Sequence, residues 1–373
     1  MCFENLGGNY DMQEIFRLLI INPGSTSTKV AIFKGEENIK EYKIQHSIEE
    51  IEKFDKVSDQ YSYRLKLIYE WLRREKIDTN MLLAVVGRGG LLRPMPGGTY
   101  LVTEKMIDDL KIGIRGEHAS NLGGMLAKGI GDKEGIKSYI ADPVAVDEFE
   151  DIARISGLAE IERISLVHAL NIKMVSYRRA DEIGKKIEDV NFVVAHMGGG
   201  ISVAPFKHGK IVDANNASEM GPFSSERTGG LPVGDLVDMC YSKKYTLKEM
   251  KLKIKGKGGL VSYLNTNDGK KVEEMIKKGD KKAELVYSAL AYQVGKEIGA
   301  MATVLNGKVD SIILTGGFAY SKFLVEIITS MVKFIGEVVV YPGEDEMRAL
   351  NQGVLRVLKG IEKEKIYEDE VDF

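Results

Sequence analysis

The first clear hydrophobic pattern is Phe16-Arg17-Leu18-Leu19-Ile20-Ile21, a short apolar run stopped by the small and polar Asn22-Pro23-Gly24-Ser25-Thr26-Ser27-Thr28. Lys29-Val30-Ala31-Ile32-Phe33 resumes extended character as far as Gly35, which predicts a strand, a turn and an antiparallel strand. The same order returns as Phe192-Val193-Val194-Ala195, then His196-Met197-Gly198-Gly199-Gly200, then Ile201-Ser202-Val203-Ala204 and a turn at Gly209. An ungapped offset of 174 residues lays Asn22 on His196, Gly24 on Gly198 and Gly35 on Gly209. Two such hairpins, each opening about half of the chain, predict a duplicated architecture; two unrelated Gly-turn hairpins are the plainer alternative.

The intervening pattern predicts a helix over Gln60–Glu75 around Trp71, and a strand over Leu82–Val86 that enters Gly87-Arg88-Gly89-Gly90. After the second hairpin come a helix over Lys282–Leu305, a strand over Val309–Leu314 ending in Thr315-Gly316-Gly317, and a strand over Glu337–Tyr341 before Pro342-Gly343-Glu344-Asp345-Glu346. Strands alternating with helices make an α/β protein, and 373 residues fit two domains. The glycine-rich stretch from Gly113 to Gly135 reads as a mobile flap near His118.

Composition adds one positive signal and several exclusions. Glycine outnumbers proline 40 to 8, and roughly 11% glycine against the usual 7% or so points to backbone that approaches something closely. The formal net charge of -3, from 52 basic and 55 acidic side chains, offers no field for nucleic acid or an anionic membrane. Cys2 and Cys240 alone build neither a disulfide framework nor a thiolate metal cage, which fits a reducing cytoplasm. No apolar run reaches the 18 or so residues of a membrane span, and the N-terminus lacks the order of a signal peptide. The polar segment Met1–Asp11 reads as a loosely held extension, upstream of Met12.

No P-loop, no dinucleotide fingerprint and no H-E-x-x-H zinc motif occurs. What remains are hairpin tips whose amides and hydroxyls suit phosphate oxygens: Ser25, Thr26 and Ser27 beside Asn22, and Gly198, Gly199 and Gly200 beside His196. Thr315-Gly316-Gly317, between a strand and a predicted helix start, is a third candidate. Arg88 and Arg227 sit among glycines, where a planar guanidinium fork can reach phosphoryl oxygens; a solvated charge or a salt bridge is the alternative for each. His118, His168 and His196 lie beside small or amide residues and are candidates to donate to a phosphoryl oxygen or to be satisfied in a core. His46 and His208 read as surface residues. Asp142 and Glu346 are candidate magnesium carboxylates; turn shaping and helix capping are their alternatives.

Asn22-Pro23-Gly24-Ser25-Thr26-Ser27-Thr28-Lys29, Gly87-Arg88-Gly89-Gly90, His196-Met197-Gly198-Gly199-Gly200 and Leu231-Pro232-Val233-Gly234-Asp235-Leu236, in that order, resemble the acetokinase family, most closely its butyrate kinase branch. The resemblance covers the chain from Phe16 to the C-terminal helix. It implies the superfamily of acetate and sugar kinases, Hsp70 and actin, with two duplicated ribonuclease H-like domains and an interdomain nucleotide cleft. The division it suggests is an extension over 1–14, a first domain over 15–160 with a C-terminal helix over 345–373 packing back on it, and a nucleotide-binding domain over 161–344. It further implies ATP/ADP and Mg2+ as cofactors, a small carboxylate as acceptor, and a homodimer or larger homo-oligomer. By the same resemblance Asn22, Arg88 and Arg227 surround the transferring phosphoryl group, Arg88 and His118 bind the acid, and His168 and Asp142 join the catalytic set. Glu346 takes the magnesium-linked role, with Glu344 and Asp345 left open beside it. Gly-Arg-Gly-Gly-Leu and Glu-Arg-Thr-Gly-Gly-Leu-Pro replace the loops of acetate kinases, which favours an acid longer than acetate. An actin- or Hsp70-like ATPase would need an extra interaction domain, and a sugar kinase a D-x-G-x-T in the first hairpin, where Asn22-Pro23-Gly24-Ser25-Thr26 stands.

Overall fold

The computed structural model describes residues 17–373, so the expected extension over 1–14, with Cys2, and Phe16 at the start of the first strand lie outside the described residues. The chain forms two compact units, one ending at Ala145 and taking up Asp345–Phe373 again, the other spanning Val146–Glu344. The chain thus passes into its second unit at Val146, earlier than the division after residue 160 drawn from sequence.

The first unit is built on β1 (Arg17–Pro23), β2 (Ser27–Lys34), β3 (Glu37–Gln45), α1 (Tyr61–Arg74), β4 (Leu82–Arg88), β5 (Thr99–Leu101), α2 (Glu104–Ile112), α3 (Asn121–Glu134) and β6 (Lys137–Ala141). With a short C-terminal strand, Lys365–Ile366, they make one sheet in the order C-terminal strand, β5, β6, β4, β1, β2, β3. β1 and β4 are buried on both faces and pair in parallel, as continuous apolar runs do at the centre of a sheet. β3, charged and mostly exposed, closes the edge. Leu19, Ile21, Val30, Ile32 and Val85 face a core containing Trp71 and Tyr100. The C-terminal helix, Glu346–Leu358, packs on the sheet, and its buried Asn351 donates from Nδ2 to the carbonyl of Gly35 at 2.9 Å.

The second unit contains α4 (Ala169–Glu182), β7 (Asn191–Met197), β8 (Ile201–Lys207), β9 (Lys210–Ile211), α5 (Gly269–Lys277), α6 (Lys281–Val304), β10 (Ser311–Gly316), α7 (Lys322–Val332) and β11 (Glu337–Pro342). Its sheet runs β11, β10, β7, β8, β9. Alternate residues of β7 serve two cores: Val193, Ala195 and Met197 meet α6, while Phe192 and Val194 face the other layer. No helix among the described residues is long and apolar enough to cross a membrane.

The two sheets share a plan. In each, three antiparallel strands (β3, β2, β1; β9, β8, β7) continue into two parallel ones (β4, β6; β10, β11). β1 and β7 correspond at the expected offset of 174 residues. The second strands do not, because Pro23 pairs with Thr28 across four turn residues whereas Met197 pairs with Ile201 across three. Beyond the tip the true offset is 173, and His208 rather than Gly209 stands opposite Gly35; one residue of turn length is invisible to an ungapped comparison.

Two further expectations are corrected. The stretch expected as a flap is mostly the helix α3, packed so closely on β4 that a Cβ on Gly87 would lie 2.0 Å from the carbonyl oxygen of Gly123. Part of the glycine excess therefore serves helix-on-strand packing rather than a ligand. His46, expected at the surface, is buried against Thr28, its Nε2 2.9 Å from Thr28 Oγ1; its polar sequence neighbours hide this because the burial comes from tertiary contact with Thr28 of β2 and Tyr63 of α1.

Candidate active site

In the first unit, parallel strands end together. Asn22 stands at the end of β1, Arg88 at the end of β4, and Glu346 in the first turn of the C-terminal helix. Asn22 donates from Nδ2 to Glu346 Oε2 at 2.6 Å, and Arg88 Nη1 lies 3.3 Å from Glu346 Oε1. That second contact is ionic without hydrogen-bond alignment, since the buried Nη1 has no hydrogen-bond partner. A buried guanidinium nitrogen with an ionic neighbour but no hydrogen bond, at the C-terminal ends of parallel strands, still has a donor to offer an incoming ligand. Asp142 follows β6, whose Ala141 is in register with Arg88, and occupies the left-handed region at φ 38°. Its Oδ1 accepts from the amide of Gly98 at 2.8 Å, and its own amide donates to the Gly98 carbonyl at 2.9 Å. His118 is exposed and accepts at Nδ1 from the amide of Ser120.

In the second unit, the tip Gly198–Gly200 carries open backbone: Gly199 has nothing within 4 Å of where a Cβ would stand. Arg227 lies across Gly200, with Nη1 2.3 Å from a Cβ built there, and donates from Nη1 to the carbonyl of Ala217 at 2.9 Å. Its buried Nε has no partner, and burial lowers its pKa from the usual value. Ser224 anchors the same loop by donating to the carbonyl of Gly199 at 2.7 Å. Beneath the tip, the rings of His168 and His196 stack with centroids 4.0 Å apart. His168 Nδ1 meets Ser202 Oγ at 2.9 Å, and His196 donates from Nδ1 to Asn171 Oδ1 at 2.9 Å. His196 Nε2 sits 3.1 Å from Glu344 Oε1, again without hydrogen-bond alignment.

A cavity of about 480 Å³ opens beside this tip, within the usual size of a small-molecule site. Gly198, Gly199, Ser225 and Glu344 line it, together with Asn267, Asp268, Gly269, Lys270 and Glu273 around the start of α5, Tyr287 of α6, and Gly317, Phe318, Tyr320 and Ser321 after β10. Open amides, aromatic rings and carboxylates in one cavity suit the phosphates, base and ribose of a nucleotide. A Cβ on Gly269 would come within 2.9 Å of Phe318 Cε1 and of Tyr287 Oη, so a larger residue at the start of α5 would displace those side chains.

Sequence reasoning found the tip and Gly317 but missed the opposite wall, although Asn267-Asp268-Gly269 is a turn signal ahead of a helix. Thr315 is buried, its hydroxyl 3.2 Å from two acceptors, Asn171 Oδ1 and the carbonyl of Gly343, which share its one proton, and Gly316 takes φ 87° beside Gly343. Ser25 and Thr26 are exposed on the first tip, with Ser27 half-buried. The three late acidic residues separate by role: Glu344 at the cavity, Asp345 as the cap accepting from the Arg348 amide at 3.0 Å, and Glu346 beside Arg88. No described residues form a group of three or more side chains able to hold a metal ion. Single carboxylates such as Glu346 fit an ion that arrives coordinated by nucleotide phosphates.

The description "Acetokinase family" matches residues 161–352. A relative named "Butyrate kinase 1" from Clostridium acetobutylicum is 53% identical over 354 residues, covering 95% of this chain and 100% of the relative. The chain belongs to the acetokinase family. Another relative within it, named "Probable butyrate kinase 2", from Caldanaerobacter subterraneus subsp. tengcongensis, is 56% identical over 353 residues, 95% of this chain and 100% of its own. The acetokinase-family fold extends to solved structures: the acetate kinase of Porphyromonas gingivalis superposes with a TM-score of 0.76 at 18% identity, over 92% of this chain and 100% of that one. The duplicated α/β sheets are thus those of this family.

Proposed function

We propose that this acetokinase-family chain catalyses reversible phosphoryl transfer from MgATP to butyrate or a similar short or branched acid, giving an acyl phosphate and ADP. An oxygen of the acid's carboxylate bonds to the γ-phosphorus while the bond from that phosphorus to the β-γ bridging oxygen breaks and ADP leaves. The carboxylate is already an anion, so no general base is needed, and catalysis rests on positioning and charge stabilisation. The observation that carries the reading is the buried Nη1 of Arg88, which makes no hydrogen bond and lies beside Asn22 and Glu346, in a chain whose relatives are named butyrate kinases.

In this reading Arg88 and His118 bind the acid, and Asn22 contacts the phosphoryl group. Ser25, Thr26 and Ser27, the tip His196–Gly200 and Thr315–Gly317 serve the nucleotide, whose base and ribose occupy the cavity beside α5. Arg227 and His168 donate to the transferring oxygens. Magnesium, when bound, neutralises phosphate charge, with Glu346 and Asp142 as its protein oxygens. Self-association belongs to the same reading: the amphipathic helix Val233–Tyr241 buries none of its residues, with Val233, Val237 and Tyr241 exposed along it. Light scattering of the purified protein measures it. The ATP requirement and the exposed thiol of Cys240 fit the cytoplasm. Mixing the protein with ADP, magnesium and butyryl phosphate should produce ATP, read by luciferase; no ATP above the enzyme-free control contradicts the proposal.

A further inference from the structure

Arg64, on the second half-turn of α1, is fully buried and pairs with no carboxylate among the described residues. Its guanidinium is spent on the underside of the first hairpin tip. Nη1 donates to the carbonyls of Gly24 at 2.8 Å and Ser27 at 3.2 Å and to Thr28 Oγ1 at 3.1 Å. Nη2 donates to the carbonyl of Ser25 at 3.2 Å, and Nε and Nη2 both reach Gln60 Oε1, at 3.0 and 2.7 Å. Burial lowers its pKa to about 10, which leaves it charged at neutral pH. The neighbouring His46 is pushed down to about 4 by burial and by Arg64, so it contributes no second charge there.

An unpaired buried cation is costly unless a counter-anion or a dense set of oxygens compensates it. The oxygens here are backbone carbonyls, and their orientation has a consequence for the other side of the turn. In a trans peptide the C=O and the following N–H point in opposite directions. With the Gly24 and Ser25 carbonyls drawn inward to Arg64, the N–H groups of Ser25 and Thr26 point away from it, towards the exposed face of the tip. Neither amide has an acceptor among the described residues. Two successive outward N–H groups over a buried positive charge make an anion-binding concavity. The second tip also carries an arginine, Arg227 across Gly200, but there the guanidinium lies on the turn, donates to the carbonyl of Ala217 outside the tip, and leaves Nε unpartnered.

We propose that Arg64 is a positioning residue for phosphoryl transfer: by holding the Gly24 and Ser25 carbonyls it aims the Ser25 and Thr26 amides, beside Asn22, at phosphoryl oxygens. This rests on the reading above that the first tip contacts the transferring group. Lysine cannot reproduce it, because one ammonium does not span three carbonyls in the geometry of a planar fork.

The test compares wild type with Arg64→Lys and Arg64→Met by thermal melting, steady-state acyl-phosphate formation from butyrate, and hydrogen exchange of the segment 22–28 with and without MgATP. Folded Arg64→Lys should lose about a hundredfold in kcat, the cost of a misplaced contact, while the KM for butyrate stays within about threefold because Arg88 is untouched. MgATP should slow exchange at the tip in wild type and not in the variant. A folded Arg64→Lys with wild-type kcat and wild-type protection overturns the proposal. Should neither variant fold, wild type decides: a tip unprotected by MgATP overturns it, and a protected tip supports it. Wild type that makes acyl phosphate from no acid sinks the carboxylate-kinase reading instead, and the exchange comparison then judges Arg64 separately.

Discussion

Arg227 combines two jobs that mutation can separate. Its fork spans the Ala217 carbonyl and the face of Gly200, and its buried Nε makes no hydrogen bond. Arg227→Ala should lower turnover by about a hundredfold or more with ADP affinity largely kept; near-normal turnover in a variant that melts like wild type would remove it from the mechanism. His46 makes a stability prediction with a definite sign. Its pKa falls from 6.5 to about 4 in the fold, so between those values the unfolded chain binds more protons. Stability should therefore drop as pH falls from about 6.5 towards 4, by up to about 3 kcal/mol from this group. Urea titrations at several pH values should show a shallower slope for His46→Gln; equal slopes contradict the assignment. At this scale Arg88, Arg227 and Asn22 were legible because glycine-flanked polar residues at strand ends are rare and chemically marked. Arg64 was not, since nothing in Tyr63-Arg64-Leu65 distinguishes a buried helix arginine from a solvated one. Glu344 was legible only as one of three acids, and tertiary placement alone separates them.

The hairpins, the helix around Trp71, the long helix α6 and the strand ends all follow from periodicity and glycine punctuation. α3 did not, because its glycines, which weaken a helix in isolation, are required by packing: Gly87 and Gly123 let helix and strand touch backbone to backbone. Gly87→Ala should consequently destabilise the first unit by about 1–3 kcal/mol or more through overpacking, read as a lower urea midpoint with the m-value kept. An unchanged midpoint would mean that α3 is not held against β4 as described. The one-residue difference between the hairpin tips belongs here too, and the tips are braced differently, by Arg64 in one and by Ser224 and Arg227 in the other.

At the scale of the whole molecule, two sheets of the same strand plan carry different chemistry at corresponding tips. The first unit gathers Asn22 and Arg88 on Glu346; the second carries stacked histidines, Arg227 and a cavity of about 480 Å³. Duplication was readable from the repeated hairpin, but the cavity wall around α5 was not, because it lies on a segment with no counterpart in the repeat. The proposed activity of this family fold is phosphorylation of a short carboxylate longer than acetate. It is tested most directly by trapping acyl phosphate with hydroxylamine, with ATP and magnesium, across straight and branched acids from acetate to hexanoate. ATP-dependent hydroxamate should form, with the highest kcat/KM on butyrate or a branched acid of similar size. Preference for acetate would contradict the acid assignment, and no hydroxamate with any acid would contradict the reaction itself.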